Sequence, residues 1–178
     1  MKPYFILFFI GAIVGTFLDG LQTYAGLAFY THPVFFQTAW WVPFLFGSAT
    51  VVIGLVHRKG ECGPNVRTKF FGSVGFLTLA CLITAFFKIE SLHKAGLLLA
   101  LYFLSWGMFD RTSRGLLLAA GLAVIGPAVE SFLGQLDLYH YTHPDLLGVP
   151  FWLPFLYLHI SQAAGKPFIL TIEAFLRK

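Results

Sequence analysis

Asp19 and Glu130 are the acids that fall well inside long apolar runs of this sequence. A carboxylate in hydrocarbon is costly, so it must face a protein interior, a polar ligand group or another charge. Two of them could share a proton, bind a cation or do acid chemistry on a lipid. The plainer reading is two separate interfacial acids, satisfied by water or backbone. No nucleophile stands beside a base, no histidine pair has helical ligand spacing, and no phosphate-binding loop is present. His32, His57, His93, His140, His143 and His159 read as solvated interface residues rather than as ligands. Cys62 falls in a basic loop and Cys81 in an apolar run, so no disulfide between them is expected. Neither a metal nor a cofactor is expected.

The elements that must position these acids follow from composition. Hydrophobic residues make up 57% of the chain and charged residues 11%. Soluble domains are about 45–50% apolar and about 25% charged. Mean hydropathy is +0.76. Eight acids and twelve bases cannot coat a soluble domain of 178 residues. Six helices of about 20 residues would use roughly 120 of them. The expected fold is an all-α polytopic membrane protein, with residues 1–178 forming a single domain of six transmembrane helices. The apolar runs are Tyr4 to Phe29, Ala39 to Val56, Phe70 to Phe87, Ala95 to Phe109, Gly115 to Gly134 and Val149 to Ala164. The tail from Lys166-Pro167 onward could form a short interfacial helix.

The net charge of +4 reads as loop bias, not as nucleic-acid binding, because the bases are not in one run. With the N-terminus inside, Lys2, Arg58, Lys59, Arg67, Lys69, Arg111, Arg114, Lys166, Arg177 and Lys178 are cytoplasmic. Only Lys88 and Lys94 are then outside. That bias predicts both termini in the cytoplasm. Tyr30, Trp40, Trp41, Tyr139, Tyr141 and Trp152 form an aromatic belt on the outer side.

Tyr30-Thr31-His32-Pro33 recurs as Tyr141-Thr142-His143-Pro144, an offset of 111. The same offset relates Trp41 to Trp152, Pro43 to Pro154, Asp19 to Glu130 and Gly15 to Gly126. Spans 1–2 and spans 5–6 are therefore a parallel repeat, not an inverted one. Pro43 and Pro154 would either bend spans 2 and 6 and open a cleft, or simply begin those helices. Gly11 and Gly15 form a Gly-x-x-x-Gly pair, which suits self-association or packing within the monomer. Lys88, Glu90, His93 and Lys94 cluster between spans 3 and 4. They either meet a lipid headgroup at a cleft mouth or form a solvated loop. Asp110-Arg111 at the inner end of span 4 is either a loop salt bridge or a contact for a partner protein.

Three stretches carry a family resemblance. Trp40-Trp41-Val42-Pro43 with Gly47-Ser48-Ala49-Thr50 resembles the second span of the Insig (insulin-induced gene) family. Trp106-Gly107-Met108-Phe109-Asp110-Arg111 resembles the end of its fourth, and Tyr141-Thr142-His143-Pro144-Asp145 with Trp152-Leu153-Pro154 its last hairpin. The resemblance covers roughly residues 5 to 170. It implies six spans and a regulator rather than an enzyme. Eukaryotic members sit in the endoplasmic reticulum and bind oxysterols within the membrane. They retain the escort protein of a sterol-regulated transcription factor and bring the sterol-synthesis reductase to ubiquitin ligases. The family's escort-binding acid falls on Asp110, and an oxysterol-contacting Gln falls near His93. Asp19 stands where the family has Asn, and Glu130 matches no acid there. The long hydrophilic N-terminal tail and a retrieval signal are missing, which suggests a minimal prokaryotic relative in the cytoplasmic membrane (endoplasmic reticulum if eukaryotic).

The expected function is a non-catalytic membrane lipid-binding sensor, holding a sterol- or diacylglycerol-like lipid in an intramembrane cleft. Its lipid-binding set would be Asp19, Gln22, Trp41, Pro43, Lys88, His93, Glu130 and Trp152. Asp110 and Arg111 would meet a membrane protein partner, and a homo-oligomer is plausible at this size. The alternatives are a membrane enzyme acting on an isoprenoid or lipid through Asp19 and Glu130, and a small cation- or proton-coupled transporter.

Overall fold

The computed structural model describes residues 2–57 and 65–165, together with Phe168 and Ile172. Arg58, Lys59, Cys62, Lys166, Pro167, Arg177 and Lys178, on which part of the charge bias and the interfacial tail helix rest, lie outside the described residues. The order is α1 (Lys2–Tyr24), β1 (Ala28–Tyr30), α2 (Val42–His57), α3 (Val66–Phe86), α4 (Ser91–Phe109), α5 (Ser113–Gln135), β2 (Tyr139–Tyr141) and α6 (Leu153–Ala163). Helices α1, α3, α4 and α5 are long and apolar enough to cross a membrane. α2 is apolar but has 16 residues, and α6 has 11. At 1.5 Å per residue these are about 24 and 16 Å long, short of a hydrocarbon core of about 30 Å.

The differences from the apolar runs have local causes. α1 stops at Tyr24 because the chain turns at Gly26, whose φ of +75° is open to glycine. The remaining apolar residues of that run then form β1. α6 begins at Leu153, with Pro154 in its first turn, where no intrahelical donor is lost. Pro43 likewise lies at the second residue of α2. The two prolines therefore begin their helices and do not bend them. α4 starts at Ser91, four residues earlier than the apolar run.

β1 and β2 pair antiparallel, with Ala28 opposite Tyr141, Phe29 opposite His140 and Tyr30 opposite Tyr139. Phe29 and His140 are repeat equivalents, and the flanking pairs are exchanged. That register is a local two-fold between the α1–β1–α2 and α5–β2–α6 hairpins. The backbone obeys it beyond the strands. Thr31 and Thr142 donate their hydroxyls to the carbonyls of Asp137 and Gly26 respectively. Positive φ recurs at Gly26 and Asp137, at Phe36 and Leu147, and at Gln37 and Gly148. Tyr30 meets Trp41 edge-on at 5.6 Å, and Tyr141 meets Trp152 at 6.1 Å.

Close approach within each hairpin depends on glycine. A side chain at Gly15 would strike Phe46, and one at Gly126 would strike Tyr157, the matching pair. Gly11 lies against Thr50. The Gly-x-x-x-Gly face of α1 is thus occupied by α2, not by a second chain. α3 packs on α1 and α6, and α4 on α3 and α6. At the end opposite the sheet, Phe168 stacks on Phe70 at 4.8 Å and packs with Leu7 and Ile172.

Candidate functional site

Between α1, α3 and α6 runs a half-open cavity whose empty space is about 1000 Å³, its mouth included. The walls are apolar: Leu18, Leu77, Leu153, Leu156 and Ile160 among others. Along α1 the lining runs from Ile10 to Gln22, about 18 Å of helix. Asp19, Gln22, Cys81, Glu130, Tyr139, Tyr141 and Tyr157 gather at the sheet end. The opposite end is closed by Phe70, Ala164 and Phe168. The arrangement is a long apolar tube with one polar terminus.

The polar terminus is a set of carboxylates held by phenols. Tyr30 donates to Asp19 at 2.7 Å from eleven residues away. Tyr141 donates to Glu130 across the same spacing. Tyr157 gives Glu130 a second phenol at 2.5 Å. Copy 1 has Phe46 at the matching position, so Asp19 receives one phenol and Glu130 two. Burial raises the phenols of Tyr30, Tyr139 and Tyr141 well above their ordinary value. They stay protonated, and Tyr30 and Tyr141 serve as donors. Both carboxylates are half-buried, and Gln22, which is buried, lies within hydrogen-bond reach of the Cys81 thiol. Oxygens already accepting from phenols still have lone pairs to offer. A hydroxyl or amine at this end of the cavity would find acceptors waiting.

The sequence-derived set divides. Asp19, Gln22 and Glu130 line the cavity. Trp41, Pro43, Lys88, His93 and Trp152 are not among its lining residues. Trp41 and Trp152 instead wedge against Tyr30 and Tyr141, behind the carboxylates. Lys88 is exposed, and His93 pairs with Glu90 at 3.2 Å on the surface. Lys94, expected in a polar loop, is buried: its ammonium donates to the Thr84 carbonyl at 3.0 Å and lies 5.6 Å over the Trp152 ring. It joins the end of α3 to the start of α4. His159, expected at a wet interface, is 1% exposed and bonds the Leu98 carbonyl at 3.1 Å.

Asp110 and Arg111 lie at the far end of α4 and form no ion pair with each other among the described residues. Asp110 accepts from the Thr112 hydroxyl at 2.7 Å, and that hydroxyl accepts from the Gly115 amide at 3.0 Å, capping α5. Arg111, with φ of +55°, donates to the Gly107 carbonyl.

The phenols were missed as site residues. Tyr30 and Tyr141 were legible, because each stands eleven positions after its acid in both copies of the repeat. Tyr157 has no such signal, since its counterpart is Phe46.

No family model matches the chain. It is 32% identical to the insulin-induced gene 2 protein of Gallus gallus, across 84% of this chain and 71% of that protein. It is 29% identical to the insulin-induced gene 1 protein of Danio rerio, across 90% of this chain and 68% of that protein. Among solved structures it matches the mycobacterial Insig homologue MvINS from Mycobacterium vanbaalenii with a TM-score of 0.83 at 25% identity, covering 95% of this chain and 93% of that one. A cross-linked MvINS trimer matches with a TM-score of 0.84, also at 25% identity, covering 97% and 95%.

Proposed function

The chain belongs to the insulin-induced gene (Insig) family, and from that membership we propose that it is a non-catalytic membrane regulator that holds one elongated lipid in its cavity. It is a multi-pass membrane protein. In this reading residues 1–178 form a single domain that crosses the bilayer six times, with both termini in the cytoplasm. In this reading the host membrane is the cytoplasmic membrane of a prokaryote, or the endoplasmic reticulum of a eukaryote.

The observation that carries the reading is the cavity itself, long and apolar with acceptors at one end. Mostly apolar clefts with few, convergent polar groups suit a single small molecule. A sterol or a diacylglycerol fits that description. Its hydroxyl would donate to Asp19 or Glu130, with Gln22 beside them, and its hydrocarbon would run toward Phe168. Half-open walls between membrane helices allow entry sideways from the bilayer. Three-fold self-association is proposed by likeness to the cross-linked MvINS trimer. Asp110 and Arg111 remain the proposed contact for a membrane protein partner.

The test is mass spectrometry of lipids retained through mild-detergent purification. Wild type is compared with Asp19→Asn, Glu130→Gln and His93→Ala. A neutral alcohol lipid enriched in wild type, reduced in the two carboxylate variants and unchanged in His93→Ala supports the site. Bulk-membrane lipid in every sample overturns it.

A further inference from the structure

We propose that Val34–Phe36 and Leu146–Leu147 form two apolar knuckles that insert into the lipid leaflet at the sheet end of the bundle. This inference rests on the membrane reading above. It concerns two loops that the aromatic-belt argument would leave in water.

Each loop leaves its strand and folds back beside the preceding helix. Phe36 lies on Gly20 of α1, and its ring meets Phe17 at 5.7 Å. Gly20 is four residues from the end of α1 and Phe17 seven, so the knuckle descends about 6–10 Å below the helix end. In the second copy the Ser131 hydroxyl donates to the Leu147 carbonyl at 2.6 Å. Ser131 is the repeat equivalent of Gly20, and Leu147 of Phe36, so both knuckles descend to the same level.

At that level the side chains point away from the protein. Val34 is 71% exposed, Phe35 70%, Leu146 62% and Leu147 76%. They continue the apolar outer faces of α1 and α5, where Ile13, Phe17, Val124 and Phe132 are also exposed. The shortness of α2 and α6 leaves depth for the knuckles, which complete the crossings those helices begin.

Irregular backbone facing lipid must satisfy its own polar groups. These loops do so. Val34 and Phe35 both donate to the Thr38 carbonyl, at 2.9 and 3.2 Å, and Thr38 returns a bond to Phe35 at 2.8 Å. Asp145 and Leu146 repeat the pattern with Val149, at 3.1 and 3.1 Å, with 3.0 Å for the return. Thr31 and His32 in one loop and His143 and Asp145 in the other are exposed at its neck, Asp145 being the repeat equivalent of Val34, and Gln37 is exposed beside Phe36. Apolar tip, turn hydrogen bonds and polar neck together match a lipid leaflet with its headgroups.

The experiment is spin-label accessibility in phosphatidylcholine–phosphatidylglycerol vesicles. Single labels are placed by Phe35→Cys, Leu146→Cys and Val34→Cys in a Cys62→Ser background, with Val124→Cys as the helix-face reference and His32→Cys at the neck. Oxygen partitions into hydrocarbon and a nickel chelate into water. The expected result is oxygen relaxation exceeding nickel several-fold at 34, 35, 146 and 124, with the order reversed at 32. Nickel exceeding oxygen at 34, 35 and 146 but not at 124 places the knuckles in water and overturns the proposal alone. Low access to both agents at the tips means a second copy or another protein covers them, which also overturns it. Nickel dominance at 124 as well overturns the membrane reading beneath it.

Discussion

Tyr157 donates its phenol to Glu130 at 2.5 Å, and the equivalent place in the other hairpin holds Phe46. The two halves share a backbone but not a hydrogen-bond count. Asp19 depends on Tyr30 alone among its described bonds, whereas Glu130 has Tyr141 as well.

That asymmetry predicts an order of variant stabilities. Tyr30→Phe strips Asp19 of its described partner and should cost about 1–3 kcal/mol, the penalty of an unmet buried polar group. Tyr157→Phe leaves Glu130 bonded to Tyr141 and should cost about 0.5–1.5 kcal/mol. Thermal unfolding in detergent measures both, and the reverse order would refute the assignment.

Gly15→Val and Gly126→Val should each destabilise the folded monomer by about 1–3 kcal/mol, through overpacking against Phe46 and Tyr157. Because α2 already fills the glycine face of α1, the loss should show in unfolding while the oligomeric state of the surviving folded fraction stays that of wild type. Sedimentation beside thermal melts separates the two.

Lys94→Met should loosen the joint between α3 and α4. It removes the bond to the Thr84 carbonyl and the contact over Trp152. The expected cost is about 1–3 kcal/mol, with faster amide exchange at the two ends it joins. A variant as stable as wild type would contradict the clamp.

The Asp145 carboxyl is held below its ordinary 3.8 by the Ser91 hydroxyl, then by the Phe151 amide. A lowered folded value means that stability from this group is present above the unfolded pKa. It is lost as pH falls through the folded value. The tie between the second knuckle and the start of α4 should therefore be constant across neutral pH and weaken only below about 3.8. Because the group is exposed, the effect should be under about 1 kcal/mol. A carboxyl titration by NMR, with Asp145→Asn as reference, checks the direction.

Much of the architecture was legible because it rests on helix-length hydrophobic runs and a repeated motif. The ends of α3 and α5 fell within a residue of the apolar runs, since Phe86 and Gln135 close long, uniform segments. β1 and β2 were not legible. Three residues each, continuous with apolar runs, carry no period of their own. Lys94 misled because a charged residue suggests a loop, and only the fold shows the carbonyl and indole that receive it. In the cavity, Asp19, Gln22 and Glu130 stood out as polar groups in apolar surroundings. Their donors did not, because a tyrosine near a membrane surface has a simpler explanation as a belt residue.

Ala28, Phe29 and Tyr30 pair with their own counterparts in reverse order, so the seam is self-complementary. A chain bearing one hairpin would present an unpaired edge whose natural mate is an identical edge. Two such half-length chains would meet about the Phe29 position and rebuild the same ribbon. The pair of hairpins in this protein is in that sense a homodimer written into one polypeptide, and joining its halves through α3 and α4 left each copy free to diverge on its own side of the cavity.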